Sequence, residues 1–484
     1  MSEPTDAKAC PVPQFANLPQ AYPDDHAVRQ DRQRDRAPAN DERAPVRGAG
    51  GEVYHRADRG VVLSVEHGTA SAQAGGATRA ARGRRLTAAA LSVAWAAALL
   101  LGVAARPAHA QSPYLVNDTA DAIDSNVNDG RCESTPGNCT LRAAIMQAEH
   151  DAGGTVKLES GLGDFHLTIP AGDEGDSTLS CPTTGAIPVH NNCPTNRTGD
   201  LDIHTHVRVI GQGVADSVID GTHVTRIFDV HDDVHGRGNL ELTDLTLQNG
   251  NSEFDQAANH EHGGAIHNHG TINLERVAVI GSTSNRPSQA WGGGGITNAA
   301  GGDAMLLNVT IADNSTNFEG GAIENKGVLR MFYVTITDNS APDIRCSPSA
   351  SRGLHCVLWQ GGGVFLAAGS QTFVADTIVA NNGRGHDCAG PGSVTSSGGN
   401  VQDDGSCPFN HATDRTADPG FDAGAPGPPR WFPLLPTSPA VDVPTTLICG
   451  VGPAAVDIRG AARPQGDDPD NDGFLNCDSG SSEL

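Results

Sequence analysis

Aromatic residues are scarce in this chain, with 12 Phe, 4 Trp and 4 Tyr among 484 residues, and only 37% of positions are hydrophobic. Long apolar runs are nearly missing as well, which excludes a multi-span membrane protein. Basic residues are few. Thirty-two Lys and Arg against 57 Asp and Glu leave a net charge of −25, and a surface of that sign excludes nucleic acid as a partner. No Cys-x-x-Cys occurs, so a zinc ribbon or a thioredoxin-like site is not expected. What is plentiful is backbone punctuation, 59 Gly and 30 Pro, the two poorest helix formers. The balance describes an acidic, turn-rich, all-β protein.

One segment breaks the polar background. Leu86 to Ala105 is apolar, follows Arg82, Arg84 and Arg85, and leads into Ala108-His109-Ala110. A basic flank, an apolar run and a small-x-small box together describe a secretory signal, with cleavage expected after Ala110. The segment starts some 80 residues from Met1, behind a stretch (1–82) rich in Arg, Asp, Pro and Ala that has no hydrophobic period and reads as disordered. Two explanations fit: a start codon downstream of Met1, or a signal anchor in which an uncleaved Leu86–Ala105 helix is the only membrane contact. Residues 1–110 hold 14 basic and 11 acidic side chains, so the remainder keeps 18 against 46.

Export fits the cysteines. Of 11, Cys10 precedes the cleavage site and ten remain. An even set in an oxidising compartment reads as disulfides. They fall as sequential neighbours: Cys132/Cys139, Cys181/Cys193, Cys346/Cys356, Cys388/Cys407 and Cys449/Cys477. Local pairing is the simplest of several connectivities.

Self-similarity is the strongest internal signal. Gly263-Gly264-Ala265-Ile266-His267-Asn268 returns as Gly293-Gly294-Gly295-Ile296-Thr297-Asn298, as Gly320-Gly321-Ala322-Ile323-Glu324-Asn325, and more weakly as Gly361-Gly362-Gly363-Val364. Between the copies lie alternating apolar segments: Leu245-Thr246-Leu247, Val277-Ala278-Val279, Val309-Thr310-Ile311, Val334-Thr335-Ile336 and Thr377-Ile378-Val379. Asp313-Asn314, Asp338-Asn339 and Asn381-Asn382 follow the last three. These predict strands of four to six residues between Gly and Asn turns. The Gly-Gly copies are spaced by 30, 27 and 41 residues, the last stretched by an insert with Cys346 and Cys356. That period suits one coil of a parallel β-solenoid. Asn268, Asn298 and Asn325 are expected to stack as an internal amide ladder. An open solenoid end needs a cap, and Thr140 can N-cap a short helix through Glu149, with Leu141, Ile145 and Ala148 on one stripe.

These residues also carry a resemblance. Tyr114-Leu115-Val116-Asn117-Asp118-Thr119-Ala120-Asp121, Asp129-Gly130-Arg131-Cys132 and Cys139-Thr140-Leu141-Arg142-Ala143-Ala144-Ile145 resemble the CSLREA domain of exported bacterial proteins, with Thr140 and Ala143 where that family has Ser and Glu. Gly199-Asp200-Leu201-Asp202-Ile203, Val209-Ile210-Gly211-Gln212-Gly213, Ile219-Asp220-Gly221 and Arg226-Ile227-Phe228-Asp229-Val230 resemble the right-handed parallel β-helix that follows in such proteins. Ser438-Pro439-Ala440-Val441-Asp442, Asp457-Ile458-Arg459-Gly460, Arg463-Pro464 and Cys477-Asp478-Ser479-Gly480 are similar to the choice-of-anchor Q domain. The resemblance implies a CSLREA-like cap at 111–152, a right-handed parallel β-helix at 153–430 and an anchor-type region at 431–484. It implies little chemistry. No apolar tail precedes Leu484, so no C-terminal sorting helix is expected.

β-Helices of this kind are shared with pectate lyases and polygalacturonases, yet fold does not transfer function. The Asn-Thr-Asp, Gly-His-Gly and Arg-x-Lys motifs of polygalacturonases do not occur. Asp232-Asp233 is the nearest acid pair in the coils, but adjacent strand residues face opposite ways. A lyase wants a basic residue, and beside Arg226, Arg237 and Arg276 the chain after residue 110 offers only Lys157 and Lys326. Histidine is dense instead: His204, His206, His223, His231, His235, His260, His262, His267 and His269 fall within 66 residues. Side chains at i and i+2 of a strand share a face, so His204/His206 and His267/His269, the latter joined by His260 and His262, form a candidate transition-metal set. Asp468-Pro469-Asp470-Asn471-Asp472-Gly473-Phe474 begins like a calcium loop, with Asp468, Asp470 and Asp472 as oxygen ligands and Asn476 or Asp478 compensating for Ser479 at position twelve. Calcium is thus the one cofactor expected. The expected function is a secreted or cell-surface interaction protein that binds a polysaccharide or envelope glycan without turning it over. The alternative is a polysaccharide lyase or glycoside hydrolase with a site the motifs do not reveal.

Overall fold

The structure is a computed structural model that describes residues 112–170, 196–233, 236–252, 262–284, 292–342, 344–349, 353–358, 361–383, 386–424, 430–443, 452–463 and 477–483. The Leu86–Ala105 segment, Ala108 and Ala110 lie outside the described residues, as do His235, His260, Cys181, Cys193, Cys449, Asp468, Asp470, Asp472 and Asn476. Among the described residues no helix is long and apolar enough to cross a membrane.

The chain is a parallel β-helix. A long sheet stacks Tyr114–Val116, Gly154–Leu158, His206–Ile210, Asn239–Gln248, Thr271–Ile280, Asp303–Ala312 and Val328–Thr337 in parallel, then continues through Gln371–Ala375 and Ile378–Val379. A narrow sheet stacks Leu201–Ile203, Phe228–Val230, Ile266–Asn268, Ile296–Asn298, Ile323–Asn325, Val364–Leu366 and Cys388–Ala389. Each coil therefore contributes one rung to both sheets, and every register preserves the repeat: Ile266 pairs with Ile296, and Ile296 with Ile323.

The long strands run ten residues where four to six were expected. The reason is a left-handed residue in the middle of each. Asp244, Arg276, Asn308, Tyr333 and Asp376 occupy equivalent rungs with φ between 49° and 58°. A single residue of that kind bends the strand and resets its alternation, so that Leu240 and Leu242 point inward before the bend and Leu245 and Leu247 after it. All four are fully buried, as are Val277, Val279, Val309, Ile311, Val334 and Ile336 at matching rungs. Each such side chain contributes about 2 kcal/mol. The repeat visible in the sequence is thus the second half of a bent strand. A left-handed backbone disfavours Tyr and Arg, and neighbours hold them: Arg276 forms a two-pronged ion pair with Asp244 on the rung below (2.6 and 3.0 Å), and the guanidinium of Arg463 lies 4.4 Å from the Tyr333 ring centre.

The Gly-Gly corners are dictated by sterics. Gly263, Gly293, Gly320 and Gly361 have φ between 62° and 70°, and a Cβ on Gly264 would sit 2.3 Å from the Gly294 carbonyl oxygen of the next coil. At the other end of the narrow strands, where Asn268, Asn298 and Asn325 close them, runs the expected amide ladder. Asn268 Nδ2 donates to Asn298 Oδ1 (2.8 Å), Asn298 Nδ2 to Asn325 Oδ1 (2.9 Å), and Asn325 Nδ2 to Thr372 Oγ1 (3.0 Å). A second ladder occupies the opposite corner: Asn314 donates to Asn339 (2.9 Å), Asn339 to Asn382 (3.0 Å) and Asn382 to Asp387 (2.9 Å).

The N-terminal end is capped by a helix, Leu141–His150, whose N-cap Thr140 accepts from the Ala143 N–H. Leu141, Ala144, Ile145 and Ala148 join the core of the first rungs. The preceding segment does more than cover the end, because Tyr114–Val116 pairs with Gly154–Leu158 as a rung of the long sheet. Arg142, fully buried, binds Asp121 and the carbonyls of Asn196 and Gly199, tying the cap to the first narrow strand. Disulfides join Cys132 to Cys139 and Cys388 to Cys407. Cys346 and Cys356 stand opposite each other in an antiparallel hairpin, Ile344–Ser349 with Gly353–Leu358, and Cys477 is disulfide-bonded.

The C-terminal residues lie along the long sheet. Asn308 donates to the Val456 carbonyl, Thr310 and Thr335 bond Ser481, and the Gly480 N–H donates to the Asp376 carbonyl. Arg463, buried, reaches Glu483 and the carbonyls of Asp478 and Gly480.

Two measurements test this account. Asn339 is fully buried, donates to the Ile311 and Thr337 carbonyls and accepts from Asn314. Asn339→Ala orphans those groups and is expected to cost about 3–4 kcal/mol in urea unfolding, against about 0.5 kcal/mol for Asp338→Asn beside it. Glu149 accepts from the His204 and Thr205 N–H groups and the Thr205 hydroxyl, and burial pushes its carboxyl from the ordinary 4.5 up to about 7. The folded state then binds the extra proton between those values, so this group's contribution to stability rises as pH falls from about 7 towards 4.5. The thermal midpoint of the wild type should gain on that of Glu149→Gln over that window; a constant difference would contradict the assignment.

Candidate functional site

The central residue of each narrow strand points away from the core. In register these residues are Asp202, Asp229, His267, Thr297, Glu324 and Phe365, one per rung. Such positions ordinarily meet solvent, yet Asp229, His267, Thr297 and Glu324 are each no more than 2% exposed. A row of acids and imidazole enclosed on the outer face of a sheet is a costly arrangement unless each member has a partner.

Partners are supplied from the flanking positions. Arg226, 1% exposed, bridges Asp200 (2.6 Å) and Asp229 (2.8 Å) and donates to the His262 carbonyl. His231 Nε2 lies 2.9 Å from Asp202, and its ring stacks on His204 at 4.1 Å. His267 Nδ1 lies 3.4 Å from Asp229 Oδ1. At the other end Glu324 meets Lys326 at 2.8 Å and His262 at 3.6 Å. Asp202, His231, His262 and Lys326, with side chains 15 to 32% exposed, form the rim.

Electrostatics divides the histidines. Burial opposes the charged form of His231, but Asp229, Asp202 and Asp200 prevail and hold its pKa up at about 10. Burial, with Lys326, His267 and Arg226, drives His262 down to about 3. His267 is lowered to about 4, chiefly by burial and against the pull of Asp229. Burial raises Glu324, and Lys326 opposes that rise. At neutral pH His231 is an imidazolium locked to acids, and His262 and His267 are neutral.

The expected histidine set is brought together in part. His267 and His269 touch edge to face at 4.4 Å, and His262 lies 5.8 Å from His267. His204 and His206 separate: the first is enclosed against His231, the second is exposed and bonded to Glu241 (2.9 Å). Strand alternation does not relate them, because the narrow strand ends at Ile203 and the long strand starts at His206. Asp232 pairs with Arg237 in a short hairpin away from the column. Asp229 and Glu324 had no motif to mark them. The signal was the middle position of each Gly-Gly-x-Ile-x-Asn copy, where His267, Thr297 and Glu324 line up once the repeats are superposed.

A parallel β-helix with an enclosed polar column on its narrow sheet is the class that fold and site define. No protein-family model, curated protein or solved structure matches the chain.

The His231 assignment is checked by its imidazole signal in NMR. It should stay protonated to about pH 9, and Asp202→Asn should bring its titration down by about one to two pH units. Because the folded value is raised, the pair's contribution to stability is complete below about pH 6.5 and disappears as pH rises through about 10.

Proposed function

We propose that this chain is an exported, right-handed parallel β-helix protein of the CSLREA type that binds a glycan at the cell surface or outside the cell and does not cleave it. The observation that carries the reading is the column itself. Its inner members Asp229, His267, Thr297 and Glu324 are enclosed and hold the rim groups in place, and five rung steps from Asp202 to Phe365 span about 24 Å. Its rim, Asp202, His231 and Lys326, supplies fixed hydrogen-bonding groups, and half-buried Phe365 adds an apolar face at the far end. An extended polymer lying along the coils would meet these groups in sequence.

Two features support binding over turnover. Glycoside hydrolysis needs two carboxyl groups about 5 to 9.5 Å apart, one able to give up a proton. Asp229 and Glu324 are three rungs apart, about 14 Å. Asp202 and Asp229 are on neighbouring rungs, but His231 and Arg226 hold them as salt-bridged carboxylates. The excess of acids also favours a neutral glycan over a polyuronate.

The test is a panel of neutral and acidic polysaccharides incubated with purified protein, with and without calcium or zinc. Retention without new ends is expected, and Phe365→Ala should weaken it about threefold to tenfold. New reducing ends, or unsaturated products absorbing in the ultraviolet, would replace this reading with a hydrolase or lyase.

A further inference from the structure

The second amide ladder ends on a carboxylate. Asn382 donates to Asp387 Oδ1 from its side chain (2.9 Å) and its backbone (3.4 Å), so Asp387 is oriented by the whole stack Asn314, Asn339, Asn382. Asp387 is 1% exposed, and its other oxygen, Oδ2, is buried and takes no hydrogen bond. A buried carboxylate oxygen that no donor meets, at the end of a fully bonded ladder, is costly to keep.

Two further carboxylates converge there. One oxygen from each of Asp387, Asp403 and Asp404 lies within 4.8 Å of the others. Each acid is held by bonds that fix it in place. The Asn381 N–H donates to Asp403 Oδ2 (3.1 Å), and Asp404 accepts from Ser406, the Asp387 N–H and His386. Among the described residues no Lys or Arg pairs with any of the three, although elsewhere the buried acids Asp121, Asp200, Asp229 and Glu483 each have an arginine. Asp403 is half-buried and Asp404 exposed, which leaves a route in from solvent.

We infer that Asp387, Asp403 and Asp404 form a binding site for a hard divalent cation, calcium, at the end of the Asn314–Asn339–Asn382 ladder. Calcium takes carboxylate oxygens at about 2.3–2.6 Å, so any two oxygens on one ion lie at most about 5 Å apart, and the cluster meets that limit without rearrangement. Three carboxylates leave coordination positions to water. Bound calcium would tie the last rungs, through Asp403 and Asp404, to the ladder behind them.

The test uses the full chain carrying Asp468→Ala and Asp470→Ala, so that the tail loop contributes nothing. Calorimetric titration with CaCl2 is expected to show one site with a dissociation constant on the order of 10⁻⁴–10⁻³ M. Saturating calcium should raise the thermal midpoint by about 1–2 °C. Adding Asp387→Asn should weaken binding at least about tenfold, with no fall in the calcium-free midpoint, because an amide oxygen still accepts from Asn382. If that variant is itself less stable, Asp403→Asn, nearer the surface, must show the same loss of binding. A parent that binds no calcium, a response to zinc alone, or binding unchanged in both variants would overturn the assignment.

Discussion

Everything in this molecule follows from stacking one coil's backbone on the next. Parallel rungs satisfy the peptide groups of the strands, but they leave those at the corners facing inward with no strand opposite. The fold meets that constraint with side-chain amides. An asparagine presents a donor and an acceptor at one end, so identical residues on successive coils can bond each other and the corner carbonyls at once. Asn339 does so with Ile311, Thr337, Asn314 and Asn382. The price is rigidity of sequence: at 268, 298 and 325, or at 314, 339 and 382, an apolar residue of similar size would leave several buried groups unanswered.

The same stacking shapes the candidate site. A sheet that repeats Ile-x-Asn has only its middle position free to vary, so whatever chemistry the narrow face carries must be written one residue per rung. Aspartate, aspartate, histidine, threonine, glutamate and phenylalanine were written there. Their burial then required cations from neighbouring positions, Arg226 and His231 at one end and Lys326 at the other. The column is therefore an electrostatic unit whose members set one another's protonation, and His231 keeps its proton because three acids surround it.

Much of this was legible in the residues. The Gly-Gly-x-Ile-x-Asn copies gave the narrow sheet, its corners and the first amide ladder, because those features depend on residue types that tolerate few replacements. Thr140 gave the helix cap. The bend in the long strands was not legible. Its left-handed position is filled by Asp244, Asn308 and Asp376, types that tolerate such backbone, but also by Arg276 and Tyr333, which break the pattern. The site was half legible. The histidine density falls on the coils that carry the column, but the ion pairs join residues from separate rungs, and strand alternation fails where His204 turns a corner. Asp387, Asp403 and Asp404 carry no motif, and only the ladder that ends on Asp387 sets them apart.

The C-terminal residues have a consequence for how the chain becomes folded. Ser481 bonds Thr310 and Thr335 across 171 and 146 residues, and Ser479 bonds Gly399 across 80. The coils themselves join near neighbours, each waiting only for the next 25 to 43 residues, so they can assemble progressively from the capped end. The contacts around Ser481 cannot form until the chain has emerged as far as Ser481, and contacts of such long sequence separation form slowly. The outward-facing Asn308, Thr310, Tyr333 and Thr335 would stay uncovered until then. Closing that flank is therefore a step that the stack of coils cannot complete from its near-neighbour contacts alone.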